Sequence, residues 1–199
     1  MDGVFFKIFV MENDILLINQ TLAGNDASFR VLVERYQDYV FSVALKVLKN
    51  REEAEETAQD AFVKAYRALA GFEQRSKFAT WLYQIAWRTA IDRYRARPKA
   101  ARSLDDDTNF LQIRDKEANP AQQLQQQNTR QLIHEALDRM PAEDAALLSL
   151  FYLQEQSVKE IAVITGLTES NVKVKLFRLR DALKNLLSKH LKEEVKNLR

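Results

Sequence analysis

Between Asp26 and Ala96 the apolar residues recur every three or four positions in three successive runs, the period of amphipathic α-helices. The first run, Asp26 to Asn50, places Phe29, Val33, Tyr36, Val40, Val43, Ala44 and Val47 on one face. Lys49-Asn50-Arg51 breaks it. The second, from about Glu52 to Leu69, turns Ala54, Ala58, Ala61, Phe62, Ala65 and Leu69 inward, leaves Glu55, Glu56, Gln59 and Asp60 toward solvent, and stops at Gly71. A polar loop, Glu73 to Lys77, leads into the third, Phe78 to Ala96, which Pro98 forbids from continuing far. Only four glycines and three prolines occur in 199 residues, which argues against a β-sandwich or barrel, and an all-α fold is expected.

From Arg97 to about Gln126 the period fades into Asp, Asn, Gln and Ala, which reads as a flexible linker. Helicity is expected to resume from Gln122 to Met140, and Pro141 to open a helix at its first turn that runs to about Leu153. The segment Ser157 to Leu187 then reads as a helix-turn-helix. Ala162 allows the two helices to cross closely, Gly166 supplies the turn, and Val172 plugs the second helix into the core. Thr168 is its N-cap, and Val172, Leu176, Leu179, Leu183 and Leu186 form its buried stripe. Ser170, Asn171, Lys173, Val174, Lys175 and Arg178 are left outside, able to reach base edges or phosphates in a major groove. At the chain's start, the apolar run before Met11 is too short to span a bilayer. A short helix is expected from Met11 after a loose extension, and the tail from His190 to Arg199 is expected to fray.

Charge is unevenly spread although the formal net charge is only +2. Arg88, Arg93, Arg95, Arg97, Lys99 and Arg102 face a single acid, Asp92, between Phe78 and Arg102; the segment from Ser157 onward is also basic. Acids gather at Glu52 to Asp60 and Asp105 to Glu117. Two basic segments separated by acidic ones predict two nucleic-acid contacts and a further partner. In the first, Phe78, Trp81, Tyr83, Trp87 and Tyr94 interleave with Arg75, Lys77, Arg88, Arg93, Arg95 and Arg97, the mixture of stacking rings and phosphate-holding cations that single strands require. Trp81, Ile85 and Ile91 individually fit the core better than a base platform. With no cysteine and only His134 and His190, disulfides and a histidine- or thiolate-built metal site are not expected. Nothing recruits the carboxylates of the acidic helix into catalysis, so no enzyme activity, metal or cofactor is expected.

These residues resemble a bacterial RNA polymerase sigma factor of the extracytoplasmic-function (ECF) group. AEETAQDAFVKAY (Ala54 to Tyr66) is similar to that family's polymerase-binding segment, and FATWLYQIAWRTAIDRYR (Phe78 to Arg95) to its promoter-melting helix. The stretch from Met140 to Leu183 is similar to its C-terminal module. The resemblance spans about Asn25 to Leu187 with three motifs in order. It implies two helical modules, an N-terminal bundle and a C-terminal four-helix module, joined by a flexible linker. Residues 1–24 would be an N-terminal extension, 25–97 region 2, 98–126 the linker, 127–188 region 4 and 189–199 a charged tail.

The resemblance further implies that Glu55, Glu56, Gln59, Asp60 and Lys64 dock on core RNA polymerase. The loop from Phe72 to Lys77, with Gln74 and Arg75, would capture a base flipped from the −10 element. Trp87, Arg88, Arg93 and Arg95 would hold the opened single strand, and the helix Thr168 to Arg180 would read the −35 element as duplex. The acidic linker, Asp105 to Asp107 especially, would thread the polymerase's nucleic-acid channels. Arg88 stands where the family often has Asn, pointing to a phosphate contact. Val174 and Lys175 replace a polar residue and an arginine, which removes a bidentate guanine reader. Such proteins act in the cytoplasm, without membrane insertion, and are held inactive by an anti-sigma factor. A free-standing helix-turn-helix regulator is the alternative; it would bind operators tightly without polymerase and gives Ala54 to Tyr66 no task. A nuclease using Glu55 and Asp60 would need a divalent metal.

Overall fold

The computed structural model describes the backbone of residues 3–98, 132–133, 136–137 and 139–197, with side chains described between residues 13 and 188 of these. Among the described residues every regular element is helical. In chain order they are α1 (Gly3–Leu22), α2 (Asp26–Leu48), α3 (Arg51–Ala68) with a single 3-10 turn (Leu69–Gly71), α4 (Phe78–Ala96), α5 (Ala142–Tyr152), α6 (Val158–Thr165) and α7 (Glu169–Asn197).

Local chemistry sets most boundaries. Lys49 ends α2 in the left-handed region, and the next residue, Asn50, caps α3 by accepting the Glu53 amide at 2.9 Å. Two residues, Lys49 and Asn50, therefore separate the helices, and α2 and α3 pack against each other. The ladder of α4 stops at Arg97, which is extended (ψ 145°) as the residue before proline must be. In the N-terminal module α2, α3 and α4 pack against one another. Alanines 54, 61 and 65 of α3 and 86 and 90 of α4 are fully buried, so the backbones approach closely, and Leu32, Val40, Val47 and Leu82 fill the centre. The helix α1 lies along α2. Its Asp14 is buried, accepts the Tyr36 hydroxyl at 2.5 Å and pairs with Arg35.

In the C-terminal module, Ser157 and Glu160 form a reciprocal capping box at the start of α6. Gly166 ends α6 with φ 76°, a left-handed conformation that a Cβ would strain, although no neighbouring atom would meet one. Thr168 accepts the Asn171 amide at 3.2 Å and so starts α7. Val172, Leu176, Leu179 and Leu183 are buried as the stripe requires, and Leu186 is partly so. Pro141 stands at the N-cap of α5, one residue before the position expected.

Both chain ends depart from expectation. The first helix begins at Gly3, not Met11, and α7 continues through the tail to Asn197. Neither segment holds a proline or an interior glycine, so each added residue extends an existing ladder at little cost. The linker expected at 98–126 and most of the helix expected over Gln122 to Met140 lie outside the described residues, as do Lys99, Arg102, Asp105 to Asp107 and the side chain of His190. No helix among the described residues is long and apolar enough to cross a membrane.

The two modules also lie against each other: α6 packs along α4 and α5 along α2. Lys49 Nζ donates to the Met140 carbonyl at 3.1 Å, and Gln84 Nε2 to the Val163 carbonyl at 2.7 Å. Periodicity shows that a helix has a buried face; it does not show that a second face is covered by a distant module.

Candidate nucleic-acid interface

Three surfaces carry the residues singled out above. The outer face of α7 comes first. Ser170, Asn171, Lys173, Val174 and Arg178 are all exposed, opposite the buried stripe. Lys175 is different: its Nζ pairs with Asp144 of α5 at 2.9 Å. At about 100° per residue it lies roughly 70° from the centre of the stripe, on the flank that meets α5. Phe177, absent from the expected readers, is 76% exposed, the most exposed large apolar side chain described. It lies about 130° round from the stripe, a displacement the sequence already contained. With Val174 it makes an apolar pair among cations, suited to thymine methyl groups in a major groove. Arg180 is turned back, its guanidinium 4.9 Å from the Phe151 ring centroid.

The second surface is the loop before α4 and that helix's basic edge. Phe72 is partly buried, its ring 5.2 Å from Trp81 and 5.8 Å from Phe78, so the loop springs from an aromatic cluster that fixes its base. At the tip Gln74 adopts φ 57°, and Arg75, paired only locally with Glu73 at 2.7 Å, is exposed. Arg88 is exposed as expected. Trp87 is not: at 8% exposure it belongs to the core, where its ring is unavailable to bases. Its register, one turn from both the buried Tyr83 and the buried Ile91, sets this. The remaining cations have carboxylate partners. Arg93 pairs with Glu56, Arg95 with Glu143 at 3.0 Å, and Lys77 with Glu160 at 2.5 Å. Burial works to raise the Glu160 carboxyl, but hydrogen bonds from Lys77 and Ser157 outweigh it and hold the group below its ordinary range.

The third surface is the acidic face of α3. Glu55, Glu56, Gln59, Asp60 and Lys64 are exposed at its rim. Glu55 pairs with Arg51 at 2.8 Å, and Lys64 donates to Thr89 of α4 at 3.1 Å. Glu53, one turn earlier, accepts Arg97 at 2.8 Å. Such partly exposed pairs are each worth about 0–1 kcal/mol and exchange readily for an external partner. No group of residues among those described could hold a metal ion.

Comparison with known proteins shows the family. Residues 32–99 match the family model of sigma-70 region 2, and residues 130–183 that of sigma-70 region 4. The sigma-E factor of Escherichia coli is 31% identical over 178 residues, covering 86% of this chain and 93% of its own. SigW of Bacillus subtilis, also an ECF RNA polymerase sigma factor, is 30% identical over 177 residues, covering 85% of this chain and 94% of its own.

The chain belongs to the ECF sigma factors.

The RNA polymerase sigma-H factor of Pseudomonas aeruginosa is similar over a longer span, 28% identical across 94% of this sigma factor and all of its own length. Two solved structures share the fold. CnrH in complex with the cytosolic domain of CnrY has a TM-score of 0.62 at 23% identity, covering 88% of this chain and 97% of its own. The sigma factor RpoE in complex with the anti-sigma factor NepR from Bartonella quintana has a TM-score of 0.60 at 20% identity, covering 80% and 96%. This ECF sigma factor is thus an all-α, two-module initiation factor that binds RNA polymerase and directs it to promoters. Region 2 and region 4 matches in one chain leave the free-standing regulator without support.

Proposed function

We propose a division of labour among the three surfaces. Glu55, Gln59, Asp60 and Lys64 on α3, with Glu56 once released from Arg93, dock on core polymerase. The loop Phe72 to Lys77 takes a base flipped from the −10 element, and Arg88, Arg93 and Arg95 hold the opened strand. Ser170, Asn171, Lys173, Val174 and Arg178 read the −35 duplex, with Phe177 added and Lys175 reduced to a flanking phosphate contact. Region 2 would occupy residues 25–97 and region 4 residues 127–188, joined by 98–126. The chain would act in the cytoplasm as a specificity subunit without chemistry of its own. An anti-sigma factor is proposed as its inhibitor, since the two structural relatives above were solved with such proteins or with CnrY.

The observation that carries this reading is α7, whose exposed side joins Lys173 and Arg178 to Val174 and Phe177 while its other side is sealed in the core. The test is transcription in vitro with core polymerase, from promoters mapped after overexpression. Lys173→Ala or Arg178→Ala should weaken use of the upstream element by about 1–3 kcal/mol if a base contact is lost. Unchanged transcription would remove that residue from the reading role. Phe177→Ala should relax the preference for thymine at one position while leaving folding intact.

A further inference from the structure

Helix α5 grips α7 at two points. Near its start, Asp144 accepts Lys175 Nζ at 2.9 Å. At its end, the rings of Phe151 and Tyr152 meet edge to face with centroids 5.1 Å apart, and the Arg180 guanidinium lies 4.9 and 5.8 Å from those centroids. At about 100° per residue, Lys175 and Arg180 fall about 70° to either side of the buried stripe of Val172, Leu176, Leu179 and Leu183. Lys173, Val174, Phe177 and Arg178 all lie farther round, on the exposed arc between these two flanks. The two grips therefore stand on the borders between the buried and the open sides of one helix. Together they oppose its rotation in both senses.

We propose that Asp144 and the Phe151–Tyr152 ring pair are positioning residues for −35 reading. Through Lys175 and Arg180 they fix the roll of α7 about its own axis, and so fix where its outer side chains meet base edges. This builds on the assignment of α7 to the −35 duplex. The stripe is a row of aliphatic side chains without directional bonds, so it excludes water equally well when the helix is turned by a small angle. Side-chain tips stand about 5–6 Å from a helix axis, so a roll of about 20° carries them about 2 Å, more than the spread of hydrogen-bond lengths. A charge pair and a guanidinium against ring faces have the direction that aliphatics lack. Their effect is on orientation more than stability: the Lys175 and Asp144 side chains are 42% and 28% exposed, and such pairs add little to folding. Lys175 keeps two further N–H donors for a flanking phosphate, now held at a set place, and phosphate contacts fix register. Arg180, its guanidinium on the rings, is an internal support and not a DNA ligand.

The test uses the full chain assembled with core polymerase, on a promoter mapped after overexpression and on the same promoter with its upstream element scrambled. Preference for the intact element is measured over a range of salt, with thermal unfolding of each chain alongside. Asp144→Asn and Arg180→Gln should each lower that preference roughly three- to tenfold, by loss on the intact promoter, and leave the scrambled one no weaker. Asp144→Glu keeps the carboxylate and should retain most of the preference. Glu155→Gln removes the same charge from an exposed site just past α5 and should leave the preference unchanged. An Arg180 that touched DNA would, when replaced, weaken both promoters alike and flatten the salt dependence by about one unit. That result would overturn the proposal. So would an unchanged preference in Asp144→Asn or Arg180→Gln, an equal loss in Glu155→Gln, or an equal loss on both promoters in step with a lower unfolding midpoint. Lys173→Ala with Arg178→Ala separates positioning from reading. If that pair lowers the preference and the tether variants do not, positioning alone fails; if it does not, the reading role of α7 fails and positioning with it.

Discussion

Asp14 shows how much one residue can hide from a sequence reading. It sits in α1 at 3% exposure, and burial raises its carboxyl above the ordinary range despite the Tyr36 hydroxyl and Arg35 beside it. A group whose folded value is raised stabilises most when protonated, below its unfolded value, and that contribution is lost as pH rises through the folded value. Docking of α1 should therefore tighten on mild acidification. Asp14→Ala strips the buried Tyr36 hydroxyl of its acceptor and should cost about 1–3 kcal/mol in urea unfolding, whereas Asp14→Asn, which keeps an oxygen, should cost less. Gly166→Ala should cost about 1–2 kcal/mol by the same measurement, from its left-handed backbone alone, because the added methyl meets nothing. The glycine was legible in the sequence as a turn. Asp14 was not, since nothing local marks a carboxylate whose partners lie 21 and 22 residues away.

At the scale of elements, α2, α3 and α4 were readable almost residue by residue, because each carries a clear three-four period between real stop signals. The lengths of α1 and α7 were not, because charge and hydropathy changed while the backbone had no reason to stop. Helical register also explains the three residues placed differently by the fold. Trp87 falls on the inner face of α4, Lys175 on the flank of α7 that meets α5, and Phe177 on its open side. Paired substitutions separate the two faces of α7. Leu176→Ala should destabilise the C-terminal module by about 2–5 kcal/mol in thermal or urea unfolding. Its neighbour Phe177→Ala should leave stability within about 0.5 kcal/mol and change only promoter use.

For the whole molecule, composition and three ordered motifs were enough to give an all-α initiation factor, but not the packing of its halves. The cross-module bonds join residues 48 to 91 positions apart, beyond the reach of any local pattern. The closed arrangement should carry its own acid response. The Glu160 value is held down, so its contribution is present above the ordinary glutamate range and is lost as pH falls through the lowered value. Energy transfer between dyes on cysteines placed at the exposed Ala27 and Asn185, in a chain with no cysteine of its own, should fall along that limb, and the Glu160→Gln chain should show no such limb. Raised salt should open the parent chain more than the Glu143→Gln, Glu160→Gln variant, since only the parent has those pairs to screen.

Among the described residues, every bond between the two halves lies within a single chain, and this bears on how closure responds to concentration. An association between two separate molecules weakens on dilution. Closure carried in the same chain has no such dependence: the fraction of chains whose halves lie together is the same at every concentration.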